Sequence, residues 1–258
     1  MGDLILFKTV FKKEFVMMKN YLFNTLFSMI SIYMIFVFMF FGIKFISPST
    51  VKFGNTIEGL IIGYFIWLFS IFGYSDMSWG IMEEARAGTL EQLSMTPFGL
   101  HRVLIYRIIS TFVLTFLYTV PMLFLMMITT GKFLHIDLIT VLPLILFTVL
   151  PSFGLGFIMS GLGLIFKRLQ ASFQILQFIF IVFLLAPSDK IFAFKFLPFS
   201  LGVRLISQNM IHKIKIFEMN SLDLIILVSV ALFYFFVGFY IFKICERIAK
   251  KKGVLGHY

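Results

Sequence analysis

Six apolar runs, over 21–43, 57–79, 104–130, 138–166, 171–187 and 222–244, decide what this chain can fold into. A helix rises about 1.5 Å per residue, so a run of roughly twenty apolar residues crosses the hydrocarbon layer of a bilayer. Recurrence of such runs along the whole chain predicts an all-α integral membrane protein, a single transmembrane domain over 1–258 with six transmembrane helices. In the third span the apolar part proper is Ile108 to Thr130; the fourth run is long and the fifth, Ala171 to Pro187, is short. Charge content agrees: 13% of residues are charged, where a soluble domain carries roughly twice that fraction.

The ends and loops carry the charge. Residues 3–19 read as an interfacial amphipathic helix, with Leu4, Phe7, Phe11, Phe15 and Met18 recurring at helical spacing. Lys8, Lys12, Lys13 and Lys19 keep it from being a span. Fourteen of the 22 basic residues fall in that helix, in 80–107, at Lys167-Arg168 and in the basic tail 245–258 with the adjoining Lys243. This excess predicts that both termini lie in the cytoplasm of a cell that holds the protein in its plasma membrane. The net charge of +10 therefore points to short inner loops and anionic lipid head groups, with no nucleic acid implied. Cys245, the sole cysteine, forms no intramolecular disulfide.

Segment 188–221, on the outer side, is apolar but interrupted by Lys195, Pro198, Gly202 and Arg204. Two readings stand: short helices dipping into the outer leaflet and packed on the bundle, or an amphipathic loop resting on the surface.

Inside the runs, ionisable groups are nearly absent. Asp76 lies near the inner end of the second and Glu58 at its outer end, which argues against an ion-coupled carrier. Ser152, Gly156 and Ser160 form a four-residue stripe of small residues in the fourth run, a helix-packing face. Pro143 and Pro151 in the same run imply a kink. Asn24, Ser28 and Ser31 share a face of the first run, and Gln174 and Gln177 lie a turn apart in the fifth. These could line a translocation path or hydrogen-bond between helices, and packing is the favoured reading. No catalytic triad, metal-ligand cluster or phosphate loop occurs, so the chain is read as a non-enzyme binding no cofactor of its own.

The sharpest interruption is "EEARAGTLEQLSMTPFGLHR", residues 83–102, within the inner segment 80–103. The second helix should continue to about Arg86 and break at Gly88. Thr89 and Gln92 then have the spacing of a capping box, and Glu91 sits in a first turn where the helix dipole favours a carboxylate. Leu90 and Leu93 share a face, and Pro97 ends the element. A helix of about six residues is unstable alone and needs a partner to pack on.

The stretch "GTLEQLSMTP", preceded by Glu84 and Arg86, resembles a signature of type-2 ATP-binding-cassette (ABC) transporter permeases, with Gly88, Thr89, Leu90, Glu91, Leu93, Thr96 and Pro97 matching it. The resemblance implies one of two transmembrane permease subunits, the second identical or homologous, in the lipid bilayer. Two separate cytoplasmic ABC ATPase subunits would bind ATP and Mg. Leu90 to Met95 would be the cytoplasmic coupling helix between spans 2 and 3, with Gln92 on it. The segment before span 6 would form re-entrant helices. The implied activity is ATP-driven export of a hydrophobic or amphipathic compound (drug, lipid, peptide or glycan-lipid) by alternating access. The alternatives are a non-transport subunit that docks an ATPase for sensing or immunity, and an ion-coupled secondary carrier.

Overall fold

The computed structural model describes residues 2–46, 57–89, 92, 99–166, 170–186, 188 and 191–251, and every regular element among them is helical. In chain order these are α1 (Gly2–Asn20), α2 (Leu22–Ile46), α3 (Ile57–Arg86) and α4 (Gly99–Thr130). There follow α5 (Leu138–Ile165), α6 (Gln170–Leu185), α7 (Ser200–His212) and α8 (Ser221–Lys251), with 3-10 turns at Phe192–Phe196 and Ile216–Glu218. Helices α2, α3, α4, α5 and α8 are long and apolar enough to cross a membrane, and the chain is a multi-pass membrane protein.

The small residues of α5 put it at the centre, between α3 and α8. On one side a Cβ at Gly156 would stand 2.7 Å from the Met77 Cβ, so α3 approaches at backbone distance. On the other, Gly154 lies against the backbone of Tyr234 and Gly238, and neither glycine has room for a methyl group. Close approach of this kind maximises dispersion contacts where lipid removes most of the hydrophobic drive. Ser152 and Ser160 are fully buried and donate to the carbonyls of Val149 and Phe157 within α5, so the predicted stripe is used for packing. The helix continues through Pro143 and Pro151.

One end of the bundle, here called the near end, brings together α1, the end of α3 and the start of α4. At the opposite, far end Asp137 caps α5, accepting from the Ile139 backbone N–H at 3.3 Å and the Thr140 hydroxyl at 2.7 Å.

The fifth apolar run differs from the other five. At 16 residues, α6 is about 24 Å long and too short to span unaided. Its end is held by Ser200, whose hydroxyl donates to the Ala186 carbonyl at 2.8 Å. From there α7 climbs along α5: Gly202 lies against Thr148, where any side chain would overlap it, and the Met210 carbonyl accepts from the His135 backbone N–H at 3.0 Å. Thus α6 stops part-way through the bundle and α7 covers the remaining depth. Between them Phe199, with φ of 70°, turns the chain and packs its ring 4.9 Å from that of Phe180. A bulky side chain at positive φ is strained, and burial on both sides holds it there. Lys195 and Arg204 both pair with Asp223 at the start of α8, with Lys195 Nζ 2.7 Å from Oδ1. Two of the charges that break the 188–221 run are thereby held inside the fold on one carboxylate.

For α1 the buried face is rotated from the sequence expectation. Phe7, Phe11 and Met18 do turn inward, but Leu4 and Phe15 are exposed; Val10 is buried and Glu14 takes the inward position next to it. The Phe7 ring packs 6.0 Å from Tyr106 of α4. An inward glutamate on a greasy face calls for a cation, and the fold supplies one.

Candidate functional site

Arg107 sits in the third turn of α4 and only 9% of its side chain is exposed. Its Nε and Nη2 donate to the two carboxylate oxygens of Asp76 at 3.1 and 2.9 Å, a bidentate fork. Its Nη1 donates to Glu84 Oε1 at 2.9 Å. Glu84 also receives Lys13 Nζ of α1 at 2.7 Å, and Asp76 accepts from the Thr111 hydroxyl at 2.6 Å. One guanidinium therefore ties α3 to α4, and through Glu84 and Lys13 ties both to α1.

The local reason is a stripe on α3. Asp76, Gly80 and Glu84 recur every four residues, so all three face α4, and the backbone positions of the two acids stand about 12 Å apart along the axis. Gly80 supplies the hole between them. A Cβ there would overlap the Arg107 guanidinium, so only glycine leaves room for the side chain to reach both acids.

Glu14 is the third carboxylate and stands apart from the other two. Its oxygen lies 3.7 Å from Arg107 Nε, beyond hydrogen-bond length, and it accepts no hydrogen bond among the described residues. Burial raises its pKa above the ordinary carboxylate value, against the lowering pull of Arg107. With Lys13 and Arg107 as the cations and Glu14, Asp76 and Glu84 as the acids, the cluster keeps one negative charge in excess.

Asp76→Asn is expected to lower stability by about 1–3 kcal/mol, because it removes the charge from a two-pronged buried acceptor. Glu14→Gln is expected to leave the melting temperature unchanged or to raise it, since the charge removed is desolvated and has no hydrogen bond. Thermal unfolding of the two variants in one detergent compares them directly, and equal losses would contradict this division of roles.

Beside the cluster, between the α1–α2 junction and helices α3 and α4, lies a cavity of about 310 Å³. Glu14, Asn24, Ser28, Ser75, Asp76 and Thr111 give it a polar wall, and Met17, Met29, Phe72 and Leu114 an apolar one. Asn24 and Ser28 have no side-chain hydrogen-bond partner among the described residues. Gln177 of α6 donates to the Ser75 hydroxyl at 3.2 Å, which extends the polar set to α6. Of the polar span residues singled out in the sequence, the fold thus gathers Asn24, Ser28 and Gln177. Ser31 is not among them: it is exposed and donates to the Phe27 carbonyl at 2.8 Å within its own helix. Gln174 is exposed on α6.

In the 83–102 stretch α3 ends at Arg86, and Gly88 has φ of 71°, a conformation suited to glycine just past a helix end. The Gly88 N–H donates to the Ala85 carbonyl at 3.2 Å. Thr89 is engaged with the helix behind it: its hydroxyl donates to the Glu84 carbonyl at 3.1 Å, where the sequence predicted a cap for the helix ahead. Arg86 and Gln92 are exposed. Leu90, Glu91, Leu93, Thr96 and Pro97 lie outside the described residues.

Sequence reasoning placed Arg107 among the loop charges and Asp76 at a span end, and missed that they meet. The four-residue spacing of Asp76, Gly80 and Glu84, followed by a lone arginine at the head of the next apolar run, was the available signal. No protein-family model matches the chain, and no curated protein and no solved structure matches it either.

Proposed function

We propose that the chain is the transmembrane permease subunit of an ATP-driven exporter for a hydrophobic or amphipathic compound. ATP and Mg are bound and hydrolysed by separate cytoplasmic ATPase subunits, and a second permease subunit, identical or homologous, completes the path. On this reading the near end faces the cytoplasm of the plasma membrane, and α6 with α7 forms the re-entrant part of the fifth crossing.

The observation that carries the proposal is the Arg107 clamp. The resemblance to the permease signature assigns 88–97 to ATPase docking, and the two helices leading into and out of that segment are α3 and α4. Arg107, Asp76 and Glu84 lock those helices together one to three turns from the segment, and Lys13 joins α1 to them. Force applied between Gly88 and Pro97 would therefore move three helices as one body instead of being lost in independent tilting. The near absence of other buried charge along the spans fits a transporter that takes its energy from a partner.

Isolation of the tagged chain from its native membrane tests the partnership. The expected result is a complex in which two ATPase subunits accompany two permease subunits, read from the mass of the intact assembly. ATP hydrolysis should be present in the complex and absent from this chain purified alone. A chain that hydrolyses ATP unaided, or that is recovered with no ATPase, would contradict the proposal.

A further inference from the structure

The cavity between the α1–α2 junction, α3 and α4 has a chemical character of its own. Its volume of about 310 Å³ lies at the lower end of the range for small-molecule sites. Its wall carries two carboxylates, Glu14 and Asp76, and no lysine or arginine among the described residues lines it. Arg107 offsets Asp76 directly, but its Nε, Nη1 and Nη2 hydrogen bonds all go to Asp76 and Glu84, and it approaches Glu14 no closer than 3.7 Å. Glu14 is left as the spare carboxylate, 14% exposed and without a hydrogen bond among the described residues. Around it stand soft and polarisable groups, with Met17, Met29, Phe72 and Tyr118 among the lining residues. Thioethers and aromatic faces tolerate a bulky, weakly hydrated cation far better than they tolerate an anion.

We propose that this cavity binds an amphiphilic organic cation, its charged centre against Glu14 and its apolar part along Met29, Phe72 and Leu114. The position of the cavity suits such a ligand. It lies where α1 meets the first span, beside the exposed apolar face of α2 that includes Phe23 and Phe27. An amphiphile in the head-group region reaches it with its polar end leading. Asn24 and Ser28, both free to accept or donate, set the distance between head and tail. As a bound ligand the cation needs nothing beyond this chain; as an exported substrate it rests on the exporter reading above.

The test is binding to the purified chain in detergent, by equilibrium dialysis, with tetraphenylphosphonium and tetraphenylborate as probes of matched shape and opposite charge. Saturable binding of the phosphonium and not of the borate is expected. Glu14→Gln should weaken phosphonium binding at least tenfold while thermal unfolding shows the fold intact. Ser28→Phe, which fills the cavity from α2, should weaken it comparably without altering charge. Equal binding of both ions, or undiminished phosphonium binding by the two variants, would overturn the proposal. Displacement of the phosphonium by an ethanolamine lysolipid as readily as by an alkylammonium would also overturn it, assigning the cavity to a lipid head group. ATP-driven export of other compounds with no phosphonium binding would reject this site and leave the exporter reading standing. Phosphonium binding without any ATP-driven transport would do the reverse.

Discussion

Arg107→Met is expected to lower the stability of the protein by about 3–5 kcal/mol, a large share of what a folded domain has to lose. The size follows from what remains. Glu14, Asp76 and Glu84 stay buried or half-buried within reach of one another, and Lys13 alone opposes them. The desolvation cost of three carboxylates is then no longer offset, and they repel. Thermal unfolding and the yield of monodisperse protein in detergent read the effect. A double change separates charge from packing. Arg107→Met with Asp76→Leu removes a cation and an anion together, and an apolar pair of similar volume often matches a buried ion pair in stability. The double variant should therefore recover part of the loss suffered by Arg107→Met. If the single variant melts like the parent, Arg107 does not hold α3 and α4 together, and the mechanical part of the proposed function fails with it.

Leu90→Asp with Leu93→Asp carries the second large effect, on function with no change in fold. In the proposed coupling helix the two leucines share the one apolar face that a six-residue element can offer a partner. Burying a leucine is worth about 1.5–3 kcal/mol, and an aspartate in the same groove adds the cost of dehydrating a charge. Losing both contacts should weaken engagement of the ATPase by two orders of magnitude or more, since each 1.4 kcal/mol is a factor of ten. Transport driven by ATP should fall to background while the permease melts at its usual temperature. Transport that survives the double change would remove the docking role from 88–97.

How far the sequence carries depends on the kind of force each feature rests on. The long helices are legible because an apolar run of twenty residues has few other places to go, and α3, α4, α5 and α8 start or stop close to where hydropathy puts them. The α6–α7 unit is not legible in the same way. Hydropathy registers Ala171 to Pro187 as a short span, but only the packed fold puts Gly202 of α7 against Thr148 and Ser200 at the end of α6. In α1, helical spacing of large apolar residues favours Leu4 and Phe15 for the inward face. Glu14 turns in instead, 3.7 Å from Arg107, an outcome that needs the partner helix to be known. The cavity is further still from the sequence. Asn24 and Ser28 share a face that can be read directly, but whether that face meets a wall or a space depends on how far α2 stands from α3 and α4.

Most directly, the central claim is tested by ATP-driven movement of a fluorescent amphiphile across sealed, inverted membrane vesicles that hold this chain and its ATPase. The account predicts accumulation inside the vesicles that requires ATP, persists when proton and sodium gradients are collapsed, and stops when the ATPase can no longer hydrolyse ATP. Accumulation that follows an ion gradient without ATP, or none at all from a complex that hydrolyses ATP, would contradict it.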